Sequence, residues 1–151
     1  MDKEFYVREI DRVSGMMYRV AYTILRNSDD CGDAMQAAAL KAWEKRDHLR
    51  DEGKFAPWII RILVNECYNI QRRRKRTLPL EDAPEPASPP PDPTLAMALH
   101  ALPEKLRLPL VMQYAEGMDY QEIGLALRLP ESTVRGRIHR AKKQLRKELE
   151  V

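Results

Sequence analysis

The stretch that decides the fold runs from 119 to 143, "DYQEIGLALRLPESTVRGRIHRAKK". Asp119 and Glu122 stand three residues apart ahead of an apolar run, the spacing of a capping box that opens a helix. Pro130 stops that helix near Leu127, because proline lacks an amide donor and disfavours helix at the residue before it. A second helix opens at Glu131-Ser132-Thr133. A short helix, a tight turn and a second helix is the layout of a helix-turn-helix.

The second helix divides cleanly. At about 100° per residue, Val134, Ile138, Ala141, Leu145 and Leu149 fall on one side and form the expected buried seam. Ser132, Arg135, Gly136, His139, Arg140, Lys143 and Arg146 occupy the opposite arc, and no acid occurs between Glu131 and Glu148. A solvated helix usually interleaves acids with bases, so an unbroken basic arc favours contact with DNA. Gly136 sits near the middle of that arc. A mid-helix glycine costs about 1 kcal/mol relative to alanine, a cost consistent with close approach of a groove wall.

Charge is segregated along the rest of the chain. Residues 1–60 carry 10 basic and 11 acidic side chains, 61–76 carry 6 and 1, 77–127 carry 2 and 8, and 128–151 carry 8 and 3. Two basic blocks around an acidic stretch predict two separate contacts with a polyanion. The acidic stretch contains "TLPLEDAPEPASPPPDP", 77–93, with seven prolines and four acids. It reads as an extended spacer reaching up to about 50 Å at about 3.1 Å per residue, so the expected division is 1–76, a linker at 77–93, and 94–151.

The periodicity is helical throughout. Before the spacer it predicts helices from about Glu4 to Arg26, from the Asn27–Asp30 caps to about Leu49, and from Phe55 to Arg76. In the third, Ile59, Ile62, Leu63, Glu66 and Ile70 share one side. Arg61, Asn65, Tyr68 and Arg72 follow at i, i+4, i+7 and i+11 on the other. Cations, an amide and an aromatic ring on one stripe suit a nucleic-acid backbone with an unstacked base; from this stripe alone, a solvated basic face is an equally good reading. After the spacer, a short helix at Thr94–Leu102 precedes one with Pro103 at its first position, which carries Leu106, Leu110, Val111 and Tyr114 as apolar positions and ends near Glu116 before Gly117. The fold class expected is all-α: three helices, a proline-rich linker, and four helices ending in the helix-turn-helix.

The residues 102–149, "LPEKLRLPLVMQYAEGMDYQEIGLALRLPESTVRGRIHRAKKQLRKEL", resemble region 4 of the extracytoplasmic-function (ECF) sigma factors of bacterial RNA polymerase. "SDDCGDAMQAAALKAW" and "FAPWIIRILVNECYNIQRRRKR" resemble region 2 of the same family. The resemblance covers nearly the whole chain. It implies a promoter-specificity subunit that binds the clamp and flap of core polymerase, melts a −10 element through region 2 and reads a −35 element through region 4. Carried over, Asp33, Gln36 and Lys41 match the clamp-facing helix. The loop with His48, Arg50, Asp51 and Lys54 matches the base-capture loop, and Arg61, Asn65, Tyr68 and Arg72 line the adjoining −10 helix. Ser132, Thr133, Arg135, Gly136, His139, Arg140 and Lys143 match the −35 reader, with Arg137 implied as a phosphate contact. An anti-sigma factor is a further implied partner.

Four departures bear on that reading: Gly32 and Ala37 stand where the family carries acids on the clamp helix, and Ala39 where it carries a bulky apolar residue. Arg128 replaces a frequent turn glycine. The rival readings are a stand-alone helix-turn-helix regulator, which leaves the first half idle, and a degenerate sigma that sequesters an anti-sigma factor. No nucleophile–base pair, glycine-rich phosphate loop or ligand-spaced cluster suggests an enzyme, a cofactor or a metal. Asp29, Asp30 and Asp33 read as capping and helix-surface acids. Cys31 and Cys67 have no partner spacing and read as reduced and structural. No apolar run approaches the roughly 18 residues of a membrane span, and the charged start Met1–Glu4 is unlike a secretory signal, so a cytoplasmic protein without membrane insertion is expected.

Overall fold

A computed structural model describes residues 1–77 and 93–150. They form seven α-helices and no strand: α1 (Lys3–Leu25), α2 (Ser28–Glu44), α3 (Phe55–Thr77), α4 (Pro93–Ala101), α5 (Glu104–Tyr114), α6 (Tyr120–Leu127) and α7 (Glu131–Leu149). The segment read as a spacer lies, between its helical ends, outside the described residues. None of the described helices is long and apolar enough to cross a membrane.

The first three helices pack around a shared interior because each buries one stripe. On α1 it is Val13, Met17, Val20, Ala21 and Ile24; on α3 it is Ile59, Ile60, Leu63, Val64 and Cys67. The stripe of α2 is Ala34, Ala38 and Ala42, four residues apart and fully buried. Side chains this small bring the helix axes together, so an alanine-rich sequence gives a tight three-helix contact. Each fully buried Leu or Ile there stabilises the fold by roughly 1.5–3 kcal/mol. Asp2 and Asn27 cap α1 and α2, accepting from the amides of Phe5 and Asp30. The second helix ends at Glu44, not near Leu49: two short 3-10 turns, Arg46–His48 and Glu52–Lys54, complete the path to α3.

In the second half α7 packs on α4, α5 and α6 through Val134, Ile138 and Ala141. Leu149 lies past that packing and is 43% exposed, so the seam stops a turn earlier than its periodicity suggests. Tyr114, placed among the apolar positions of α5, is 63% exposed and carries the Lys142 ammonium over its ring at 4.8 Å, while Leu108, Pro109 and Met112 are buried instead. Pro103 is the residue before α5 rather than its first position. The guanidinium of Arg107 donates to the carbonyls of Leu99, His100 and Leu102 at 3.0, 3.2 and 2.7 Å, satisfying the acceptors left at the end of α4.

The two halves meet. Helix α6 packs along α3, and α5 along α1. One continuous buried cluster runs from Val13 and Leu63 to Met112 and Ile138. Among the described residues, polar contacts cross this seam at separate points: Arg19 donates to the Glu116 carboxylate through Nε and Nη2, each at 2.8 Å, and Gln71 donates to Glu104 at 3.2 Å.

Candidate nucleic-acid interface

Helix α7 owes its presentation to the turn before it. Asp119 accepts from the amide of Glu122 at 2.8 Å while the Glu122 carboxylate accepts from the amide of Asp119 at 3.1 Å, so both halves of the capping box form. Helix α6 ends at Arg128, which takes the left-handed conformation at φ 59° that glycine usually supplies. At Gly124 a Cβ would lie 2.7 Å from the carbonyl oxygen of Leu129, so only glycine lets the turn fold back this closely.

On α7 the side chains of Ser132, Arg135, His139, Arg140, Lys143 and Arg146 are exposed, with Thr133 and Gly136 partly so. The guanidinium of Arg135 rests 5.4 Å from the Tyr120 ring centroid, which orients it across the turn. A Cβ on Gly136 would meet only the guanidinium of Arg140, at 3.5 Å. The glycine therefore answers no packing need inside the chain, and its bare surface faces outward. Arg137 departs from the rest of the set: it is half-buried at the seam with α3, beside Tyr68.

The second basic surface is concave. Arg61, Asn65, Tyr68 and Arg72 all line one cavity of about 540 Å³, together with Lys41, Lys45 and His48. Trp58 and Ile62 give it an apolar wall, and Arg128 enters it from the far half. Of the four residues taken from the base-capture loop, His48 alone reaches the cavity. Arg50 and Asp51 are exposed, and the Asp51 carboxylate accepts from the amide of Gly53 at 2.9 Å, capping its own turn. Lys41 does not project freely to a partner, since its ammonium pairs with the buried carboxylate of Glu66. That pair accounts for the acid among the apolar residues of α3: a buried carboxylate persists where it is paired.

Burial pushes the Tyr68 hydroxyl up to about 12, with Glu104 adding to the shift and Arg137 opposing it. Burial, and then the like charge of Arg128, lowers the affinity of Arg61 for its proton. Both shifts arise because α5 and the α6–α7 turn cover part of the stripe. Arg61, Asn65 and Tyr68 also line a smaller seam cavity of about 240 Å³ with Leu108, Leu129 and Arg137.

On α2, Asp33 and Gln36 are exposed. Leu40 follows Gln36 by four residues and is 67% exposed, an apolar position that no periodicity in α2 singles out. Around Gly32 nothing lies within 4 Å of a hypothetical Cβ, so a carboxylate there would point to open space. Asp30 is neither a cap nor a surface acid: it is buried and paired with Arg74, whose Nη2 donates to Oδ1 at 2.7 Å. Among the described residues no group of three or more His, Cys, Asp or Glu is placed to hold a metal ion. Cys31 and Cys67 are free and buried, and burial raises both thiols, that of Cys31 to about 11.

The family model of sigma-70 region 2 matches residues 10–77, and that of sigma-70 region 4 matches residues 94–145. The chain is similar to the ECF RNA polymerase sigma factor SigE of Mycolicibacterium smegmatis, at 33% identity over 95% of this chain and 59% of that protein. It is 27% identical to SigW of Bacillus subtilis, covering 98% of this chain and 90% of that one. The ECF RNA polymerase sigma-E factor of Escherichia coli is 30% identical over 78% of this chain and 73% of its own length. Among solved structures, the sigma factor RpoE in complex with the anti-sigma factor NepR from Bartonella quintana shares the fold, with a TM-score of 0.78 at 23% identity over 97% of both chains. CnrH in complex with the cytosolic domain of CnrY does so with a TM-score of 0.73 at 24% identity, covering 98% of this chain and 89% of that one.

Proposed function

The chain belongs to the ECF RNA polymerase sigma factors, and on that premise we propose how its surfaces divide the work of directing the polymerase to a promoter. Helix α2 meets the clamp of core polymerase with Asp33, Gln36 and the exposed Leu40, while the α4–α7 half rests on the flap. The cavity on α3 holds the melted −10 strand: Arg61, Arg72 and Lys45 meet phosphates, Trp58 and Tyr68 offer rings for a base, and Asn65 and His48 hydrogen-bond its edge. Helix α7 enters the major groove at −35. Ser132, Thr133, Arg135, His139 and Arg140 reach base edges, and Lys143 meets the backbone.

The observation that carries this reading is the exposed arc of α7, which holds five basic side chains and no acid behind a fully formed capping box. A surface built only for solvation has no use for a bare glycine at its centre. The protein performs no covalent chemistry in this account. It lends sequence choice to an enzyme, works in the cytoplasm, and binds an anti-sigma factor, a reading supported by the solved complex of RpoE with the anti-sigma factor NepR.

Transcription with purified core polymerase and a randomised promoter pool tests this directly. Initiation at a selected set of promoters with spaced −35 and −10 elements is expected. Failure to bind core and to initiate at any member of the pool would sink the proposal; a tight operator complex formed without polymerase would point instead to a stand-alone regulator.

A further inference from the structure

The cavity on α3 is assembled from several elements that bring like charges to one place. Lys45 comes from the C-cap of α2, Arg61 and Arg72 from α3, and Arg128 from the α6–α7 turn. The one carboxylate lining it, Glu66, is already paired with Lys41. Arg61 and Arg128 are close enough for the second to lower the proton affinity of the first. The buried apolar cluster that runs through both halves holds these two cations in place. Arg128 also keeps a left-handed backbone, at φ 59°, which favours glycine. An outlier of this kind points to work done by the side chain, yet beside Arg61 its charge is repelled rather than paired.

A phosphate between the two guanidiniums turns that repulsion into two charge-assisted contacts, since a planar guanidinium matches phosphate oxygens bidentately. Lys45 and Arg72 leave positions for a further phosphate, and Trp58 and Tyr68 offer ring faces to a base. At about 540 Å³ the cavity suits a compact ligand, whereas a strand of several nucleotides has to run out through its mouth. We propose that this cavity is a binding site for a free nucleoside polyphosphate, with one phosphate bridging Arg61 and Arg128. Resting on the reading of α3 as the −10 surface, the bound nucleotide and the −10 strand exclude one another, because both use Arg61, Arg72 and the two rings. Arg128 is then the residue that adds nucleotide response to the cavity, and a glycine at this turn position would lack it.

The test is calorimetric titration of the full-length chain with ATP, adenosine and inorganic tripolyphosphate in about 0.15 M salt, where long-range attraction is screened. ATP is expected to bind at a single site and more tightly than either fragment. Arg128→Gly should weaken ATP by about 10-fold or more with the chain still folded. Lys147→Ala, which removes another exposed charge near the end of α7, should leave ATP binding unchanged. Saturating ATP should displace a fluorescent single strand of about ten nucleotides from the wild type and not from Arg128→Gly. Absence of ATP binding by a chain that still binds the strand overturns the nucleotide site and leaves the −10 reading intact. Undiminished ATP affinity in Arg128→Gly, or equal affinity for tripolyphosphate and ATP, reduces the cavity to a patch of positive charge and overturns the site as well. ATP bound without displacing the strand overturns the exclusion. Binding of ATP that depends on Arg128, in a chain that binds no strand, upholds the site and sinks the −10 reading instead.

Discussion

Helices α3 and α7 carry similar chemistry on the page of the sequence and meet opposite fates in the fold. Each presents a stripe of cations at helical spacing, with a polar reader and an aromatic ring near it. On α7 the stripe is open, and Arg135, His139, Arg140 and Lys143 face solvent. On α3, Arg61 and Tyr68 are half-buried beneath the α6–α7 turn, and Asn65 and Arg72 share their cavity with Arg128. A helix wheel reports which side of a helix turns away from its own core. It does not report whether another part of the chain comes to rest there.

The hinge of the comparison is the α6–α7 turn, which both aims α7 and covers α3. Gly124→Ala should have the largest effect, since its Cβ would meet the Leu129 carbonyl at 2.7 Å. A stability loss of about 3 kcal/mol is expected from such overpacking. In urea titrations the α4–α7 half should weaken first. Binding to a −35 duplex should fall while single-stranded DNA gains access to α3; a parallel loss of both would mean that the turn does not mask the stripe. Arg140→Ala comes next, with about 1–3 kcal/mol of base discrimination lost at one −35 position, read by competition binding of duplex variants. Uniform weakening across sequences would reduce Arg140 to a phosphate contact.

Arg128→Gly sharpens the contrast from the other side. It relieves a left-handed arginine, at a gain of about 1 kcal/mol, and removes the charge facing Arg61. Unfolding should shift to higher denaturant. A loss of stability would show that the arginine side chain itself holds the turn. The smallest effect is spectroscopic. Because burial raises Tyr68 in the folded chain, its contribution to stability is complete below its ordinary value near 10 and is lost as pH rises through about 12. In the difference between wild type and Tyr68→Phe, phenolate absorbance should appear near pH 12.

Much of this is legible in the sequence, for local reasons. The capping box at Asp119 and Glu122, the stop before Pro130 and the seam of Val134, Ile138 and Ala141 depend on residues a few positions apart. What escaped the sequence depends on distant partners. Asp30 reads as a helix-start acid until Arg74, 44 residues away, is seen to bury it. Lys41 matches the clamp-facing helix by resemblance, and only the fold shows its ammonium paired with Glu66. Arg107 gives no periodic signal, because its work is to close the three carbonyls at the end of α4. Arg137 belongs to the basic run by position but turns to the seam, and Leu149 continues the apolar spacing after the packing has ended. The missing carboxylates at Gly32 and Ala37 were visible in the sequence; the exposed Leu40 beside them required the fold.

The most direct test of the central claim is the distance between the two halves, measured with dyes on Asp47→Cys and Glu148→Cys, both exposed positions, in the free chain and in a polymerase–promoter complex. The free chain should give a single short distance, because α6 rests on α3. On the promoter the distance should lengthen toward the spacing of the two elements, on the order of 50–65 Å. A complex that initiates transcription while keeping the short distance would contradict the account, since −10 and −35 could not then be read by the two surfaces assigned to them.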